Sequence, residues 1–145
     1  LASMIRSRSR SVPAAADVLF NLCYSSEMAK ATSWMIEHRL AKKGKELLIP
    51  SGIYHIANEG GTSWYQIAHQ MAMSIGGGPE RIEPVSLAHY RERYHGDMPP
   101  MAELGRYRVL STDLYKSLGG PSFSAWRDAV DAWCVAFGGA SMAVS

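Results

Sequence analysis

Between Pro50 and Gly76 the chain spells out a strand, a turn and a capped helix in direct succession. Gly52-Ile-Tyr-His-Ile-Ala57 is a short β-rich run bounded by Pro50 and by the Asn58-Glu-Gly-Gly61 turn, which predicts a strand. Thr62 or Ser63 then stands where a hydroxyl satisfies the free N–H groups of a helix start. Trp64, Ile67, Ala68, Met71, Ala72 and Ile75 recur at three- and four-residue steps, placing one apolar face toward a core. Gly76 sits where a left-handed residue closes such a helix.

The same alternation extends in both directions. Upstream, Ser25 or Ser26 caps a helix with Glu27 in its first turn and an apolar stripe of Met28, Ala31, Met35, Ile36 and Leu40. Lys42, Lys43 and Lys45 read as its solvated far end, closed by Gly44 and Pro50. Downstream, Gly76-Gly-Gly78 reads as a helix-to-strand turn, and Arg81-Ile-Glu-Pro-Val-Ser86 as a strand whose proline favours an edge. Residues 87–105 look irregular, broken by Gly96 and Pro99-Pro100. Tyr107-Arg-Val-Leu110 is a further strand, and Ser111 or Thr112 starts a helix through Leu118, stopped by Gly119-Gly120-Pro121. Ser124 opens a last helix carrying Ala125, Trp126, Ala129, Val130, Trp133, Cys134 and Phe137, expected to bury both tryptophans and the phenylalanine. Residues 139–145 form a Gly/Ala/Ser-rich tail, expected to fray. Three short strands alternating with three or four helices make an α/β fold with a small, partly parallel sheet.

Residues 1–23 stand apart. Ile5-Arg-Ser-Arg-Ser-Arg-Ser-Val12 alternates Arg and Ser, and Val18-Leu-Phe-Asn-Leu-Cys23 is apolar. An organelle transit peptide, an RNA-binding Arg/Ser arm carrying Arg6, Arg8 and Arg10, and a loose or foreign leader all share that look. At 145 residues the chain suits one domain, and 47% hydrophobic against 19% charged residues excludes global disorder. A net charge of +2 makes no whole-protein case for nucleic acid. Two cysteines, Cys23 and Cys134, are too few for a disulfide scaffold or a Cys-rich zinc site, which points to a reducing compartment with both thiols in the core. No apolar run is long enough to span a membrane, so a cytoplasmic location is expected.

Most catalytic signatures are missing. No G-x-G-x-x-G follows a strand, and the glycines at 76–78 lack the Lys-Ser/Thr ending and following helix of a phosphate loop. His38, His55, His69, His89 and His95 are scattered, so no metal site is expected. Thr62-Ser-Trp-Tyr65 carries the most information: a cap, a large aromatic and a phenol at one helix mouth. An aromatic face there can stack a base or cover a sugar, or it can be a core or staple residue.

These residues also carry a resemblance. Gly52-Ile-Tyr-His-Ile-Ala-Asn58, followed by Gly60-Gly-Thr-Ser-Trp-Tyr-Gln-Ile-Ala68, resembles the G-x-Y-H-x-A-N…G-x-x-S-W-Y-x-x-A segment of dTDP-4-dehydrorhamnose reductases, within the extended short-chain dehydrogenase/reductase group. Ser26-Glu-Met-Ala-Lys-Ala31 is similar to that family's D-L-A helix, Arg81–Val85 to its next strand, Arg108–Thr112 to its S-x-L element, and Trp126-Arg-Asp-Ala129 to its closing helix. The likeness spans residues 24–138 and leaves 1–23 unmatched, without the family's strand and G-x-P-T turn; a truncation, a foreign start or a divergent gene would each explain that.

The resemblance implies the C-terminal, substrate-binding portion of an extended short-chain reductase. The intact family protein would reduce a dTDP-4-dehydro-6-deoxy-sugar with NADPH or NADH, toward dTDP-rhamnose. The cofactor turn and the Tyr-x-x-x-Lys pair belong to the Rossmann half, and Tyr24 and Lys30 do not replace that pair because they are six residues apart. The expectation is therefore no catalytic residue, no metal and no cofactor site in this chain, and no reductase activity of the chain alone. The implied substrate-binding residues are Ser63, Trp64, Tyr65, Arg106 and Arg108. Where the family has an Arg-Pro ahead of its S-x-L element this chain has Leu104-Gly105, so the basic group would have moved to Arg106 or Arg108. The implied partners are a dTDP-sugar and a Rossmann domain or a second copy of the chain, with no membrane and no nucleic acid. The alternative is a non-catalytic binding module like the regulatory subunit of methionine adenosyltransferase.

Overall fold

The computed structural model describes residues 11–40, 42–43, 46–47, 49–94 and 105–138. In chain order the elements are β1 (Val12–Ala15), β2 (Leu19–Phe20), α1 (Ser25–Leu40), β3 (Lys42–Lys43), β4 (Glu46–Leu47), α2 (Trp64–Ser74), a 3-10 turn (Pro79–Arg81), β5 (Ile82–Val85), α3 (Leu87–Tyr94), β6 (Tyr107–Arg108), α4 (Asp113–Ser117) and α5 (Trp126–Gly138). The fold is mixed α/β with small parallel pairings. β1 runs parallel to β5, with Val12 opposite Ile82 and Ala15 opposite Val85. β2 runs parallel to β6, and β3 and β4 form an antiparallel hairpin.

The apolar stripe of α2 explains how these parts assemble. Ile67, Ala68, Met71 and Ala72 are buried against Val12 and Ala14 of β1, Ile82 of β5, and Trp126, Val130 and Cys134 of α5. A helix at 3.6 residues per turn and a strand at two per repeat both present one apolar face here, and the core forms where those faces meet. Gln70 and Ser74 on α2 both donate to Asp131 Oδ1, which clips α2 to α5 at the core's rim. A second cluster gathers Ala31, Tyr115 and Phe123, with Trp34, Met35 and Ile56 against it. Tyr115 lies inside with its hydroxyl donating to Pro121 O at 2.9 Å.

Several expectations are corrected. Residues 12–15 are a core strand, not part of a loose leader: β1 supplies Val12, Ala14 and Ala15 to the interior, and its polar prefix masked that role in the sequence. Residues 1–10, with Arg6, Arg8 and Arg10, lie outside the described residues. Gly52–Ala57 forms no ladder strand among the described residues. Ile53 stands 83% exposed, and the segment is tied at its end, by the Asn58 N–H to Leu22 O.

The stretch from 87 is a helix for its first two turns. Asp17 Oδ1 accepts the Leu87 N–H at 2.7 Å and Ser86 Oγ accepts the His89 N–H at 3.1 Å, so the cap is supplied partly from a residue 70 positions away. Residues 95–104, including Gly96 and Pro99-Pro100, and the tail 139–145 lie outside the described residues.

The stripe of α1 is mostly surface: Ala31 is buried, Met28 and Ile36 are exposed. The helix ends at Leu40, and Lys42 and Lys43 belong to the hairpin, while Gly44 and Lys45 fall outside the described residues. On α5 Trp126 is buried, but Trp133 and Phe137 are exposed, their rings tilted against each other at 5.7 Å. Cys134 is buried as expected, whereas Cys23 is exposed because it follows β2 at the rim.

Candidate functional site

The mouth of α2 sorts its residues by burial. Ser63 is the N-cap: its Oγ accepts from Gln66 N at 3.2 Å and its own N–H donates to Gln66 Oε1 at 3.0 Å. This reciprocal capping box buries Ser63 and fixes the direction in which the next side chains leave the backbone. Tyr65 turns inward and packs on the main core. Trp64 turns outward: it is 53% exposed, and its ring lies 5.0 Å from that of Phe20 on β2.

Trp64 walls a cleft of about 300 Å³, lined also by Pro13, Ala14 and Ala15 of β1 and by Leu87 and Tyr90 of α3. The lining is largely apolar with the Tyr90 phenol among it, the character of a ligand pocket. A second cleft of about 360 Å³ shares Leu87 and is lined by Asp17, Ala88, Arg91 and Arg106. Arg106 is exposed, with Nη1 3.9 Å from Asp17 Oδ2, a loose contact that leaves the guanidinium accessible to solvent. Arg108 faces neither cleft. Its Nε donates to Gly105 O at 2.8 Å and so braces the turn that carries Arg106.

Of the five residues expected to meet substrate, Trp64 and Arg106 thus line neighbouring clefts, while Ser63, Tyr65 and Arg108 hold the local structure. Tyr90, Arg91 and Asp17 were missed. The spacing Leu87, Tyr90, Arg91 is the i, i+3, i+4 pattern of one helix face. It was hidden because the surrounding charges and His89 made the stretch polar all round.

Among the described residues, the groups with moved pKa values line neither cleft. Burial pushes the Cys134 thiol up, with Asp131 adding to it, and burial raises the Tyr115 phenol. Partial burial and then Glu27 raise the Cys23 thiol. The Glu59 carboxylate holds the Lys116 ammonium above its usual range from 2.9 Å. Among the described residues no cluster of His, Cys, Asp and Glu could hold a metal ion. No helix among them is long and apolar enough to cross a membrane.

A glycine run can cradle the pyrophosphate of a nicotinamide dinucleotide where its N–H groups are free and a helix starts beside it. Gly76 and Gly78 have φ of +67° and +70° and follow α2. The Gly76 and Gly77 N–H groups are already spent on Met73 O and Ala72 O, closing that helix. A three-residue 3-10 turn follows, so no helix start faces the loop. This turn does not fit the group.

Comparison with known proteins follows the same lines. The profile of the family described as RmlD substrate binding domain matches residues 5–137. A dTDP-4-dehydrorhamnose reductase of Streptomyces griseus is 35% identical over 96 residues, covering 63% of this chain and 29% of that protein. The crystal structure of the dTDP-4-dehydrorhamnose reductase of Bacillus anthracis, in complex with NADP, superposes with a TM-score of 0.67 at 16% identity, over 92% of this chain and 40% of that one. The Yersinia enterocolitica enzyme superposes with a TM-score of 0.69 at 19% identity, over 93% and 41%. The chain therefore spans well under half the length of these relatives.

Proposed function

Because the chain belongs to the RmlD substrate binding domain family, we propose that it is the part of a nucleotide-sugar reductase that holds the substrate, a dTDP-4-dehydro-6-deoxy-sugar. The observation that carries this reading is the adjacency of the Trp64 cleft and the Arg106 cleft, which share Leu87. A nucleotide-sugar has an apolar-faced ring at each end and two phosphates between. An aromatic-walled pocket beside a guanidinium matches that order of chemistry. Trp64 packs beside the sugar or the base. Arg106 meets the diphosphate with charge-assisted hydrogen bonds, and Arg108 keeps the turn in place. Ser63 locks α2 so that Trp64 faces the cleft.

Reduction of the 4-keto group is proposed for the whole family protein, not for this chain alone. Neither the glycine turn nor any Tyr-x-x-x-Lys pair in the sequence provides for the hydride donor. Titration calorimetry with dTDP tests the binding role. Trp64→Ala and Arg106→Ala are each expected to weaken dTDP by about tenfold. Wild-type affinity in both variants would overturn the reading. An assay of NADPH oxidation with the keto-sugar is expected to give no turnover by the chain alone, and turnover would contradict that part.

A second reading, a partner-binding module, is supported by Trp133 and Phe137, exposed side by side on α5. A monomer in size-exclusion chromatography with light scattering, binding no apolar dye, would remove it.

A further inference from the structure

The two clefts share a wall. α3 lines the apolar cleft with Leu87 and Tyr90, and the polar cleft with Ala88 and Arg91. Both pairs are three residues apart, so each runs as a row along the helix, and the two rows lie side by side. The helix is pinned at its start: Asp17, at the exit of β1, accepts the Leu87 N–H, and β1 itself lies beneath it. Asp17 also stands 3.9 Å from Arg106, so the carboxylate that fixes the helix lies beside the guanidinium that lines the polar cleft.

We infer that α3 is a specificity element that sets the direction of the ligand, with Tyr90 and Trp64 lining a pocket for the aromatic base and Arg91 and Arg106 lining a pocket for the phosphates. The inference rests on the nucleotide-sugar reading and deepens it, by assigning the base rather than the sugar to the Trp64 side. Two aromatic rings lining one small, largely apolar cleft suit a flat π-system, which stacks on either ring. A sugar, with hydroxyls around its rim, would leave those groups without partners against Pro13, Ala14 and Ala15. Two arginines lining one open cleft suit a diphosphate, whose oxygens accept paired N–H bonds. Because Leu87 is common to both clefts, a ligand holding base and phosphates close together can occupy both at once.

NMR titrations of the full chain with dTDP, thymidine and inorganic pyrophosphate separate the two ends. Tyr90→Ala is expected to weaken dTDP and thymidine by about fivefold or more while leaving pyrophosphate within about twofold of wild type. Arg91→Ala is expected to do the reverse: weaker dTDP and pyrophosphate, a flatter dependence of dTDP affinity on salt, and unchanged thymidine. Tyr90→Phe keeps the ring and is expected to keep dTDP affinity. If Tyr90→Ala and Arg91→Ala weaken all three ligands alike, α3 is merely structural and the inference is overturned. It is also overturned if neither variant changes dTDP affinity while Trp64→Ala and Arg106→Ala do, an outcome that leaves the substrate-binding reading standing. A wild-type chain that binds neither dTDP nor pyrophosphate would overturn both.

Discussion

The side-chain amide of Asn58 donates to Glu27 Oε2 at 2.6 Å, joining the end of the extended 52–58 segment to the first turn of α1. Asn58 is fully buried, and its other bonds complete a junction. Its Oδ1 accepts the Tyr24 N–H at 2.7 Å, and its Nδ2 also reaches Ser124 O at 3.1 Å. Three chain segments far apart in sequence are thereby held by one side chain. Buried polar groups left without partners are costly, and without Asn58 the Tyr24 N–H and the half-buried Glu27 carboxylate each lose one. Asn58→Ala is expected to destabilise the fold by about 2–4 kcal/mol. Urea unfolding monitored by circular dichroism checks this, with the midpoint falling at an unchanged slope.

The capping box at Ser63 predicts a smaller and more local effect. Ser63→Ala removes the acceptor of the Gln66 N–H and is expected to cost about 1 kcal/mol. It should also loosen the direction of Trp64, so dTDP affinity falls although Ser63 is buried. Ser63→Thr, another good cap that brings no charge into this buried position, is expected to recover most of the stability. Denaturant midpoints and calorimetry on both variants measure the two effects together.

The two tryptophans of α5 separate core from surface. Trp126 is 5% exposed within the main core, and a Cβ at Gly60, where φ is +84°, would stand 3.2 Å from its Cδ1. Trp126→Ala is expected to cost about 3–5 kcal/mol, and Trp133→Ala much less. Thermal melts of both variants decide it, and equal losses would contradict the assignment.

The thiols give a pH-dependent prediction. Burial raises the Cys134 thiol and the Tyr115 phenol, so the folded-state pKa of each lies above its unfolded value. Such groups favour the fold while both states are protonated. Above the ordinary thiol pKa the unfolded chain releases protons that the folded chain retains, so stability falls as pH rises through that window and on past the ordinary phenol range. Urea midpoints are therefore expected to drop from neutral pH toward alkaline pH, with a shallower drop in Cys134→Ala. A disulfide-exchange reagent at neutral pH should label the exposed Cys23 alone, and Cys134 should react only on unfolding.

How much of this was legible in the sequence depends on where each signal is stored. α2 was readable in full, since its cap, apolar period and closing glycine are all local to residues 62–76. The same holds for β5, with its edge proline, and for α4 between Thr112 and Leu118. β1 was hidden because Arg and Ser precede it and its partner β5 lies 70 residues on. α3 was hidden for a related reason, because Asp17 caps it from outside its own sequence. Trp133 and Phe137 follow helical spacing on α5, but which flank of a stripe is covered depends on what packs there, and α2 covers the Trp126–Val130–Cys134 side. At the site, the prominence of Trp64 and Arg106 was visible from the motif and the shifted basic group. Tyr90 and Arg91 became visible when the folded helix put them on the two clefts.

The most direct measurement of the central claim is the indole N–H region of the NMR spectrum during titration with dTDP. Trp64 borders the apolar cleft and Trp126 lies in the core, so the chain carries its own control. The Trp64 signal, identified by its loss in Trp64→Phe, is expected to shift saturably with dTDP while the Trp126 signal stays in place. A Trp64 signal that does not move at concentrations of dTDP that saturate the rest of the spectrum would contradict the account.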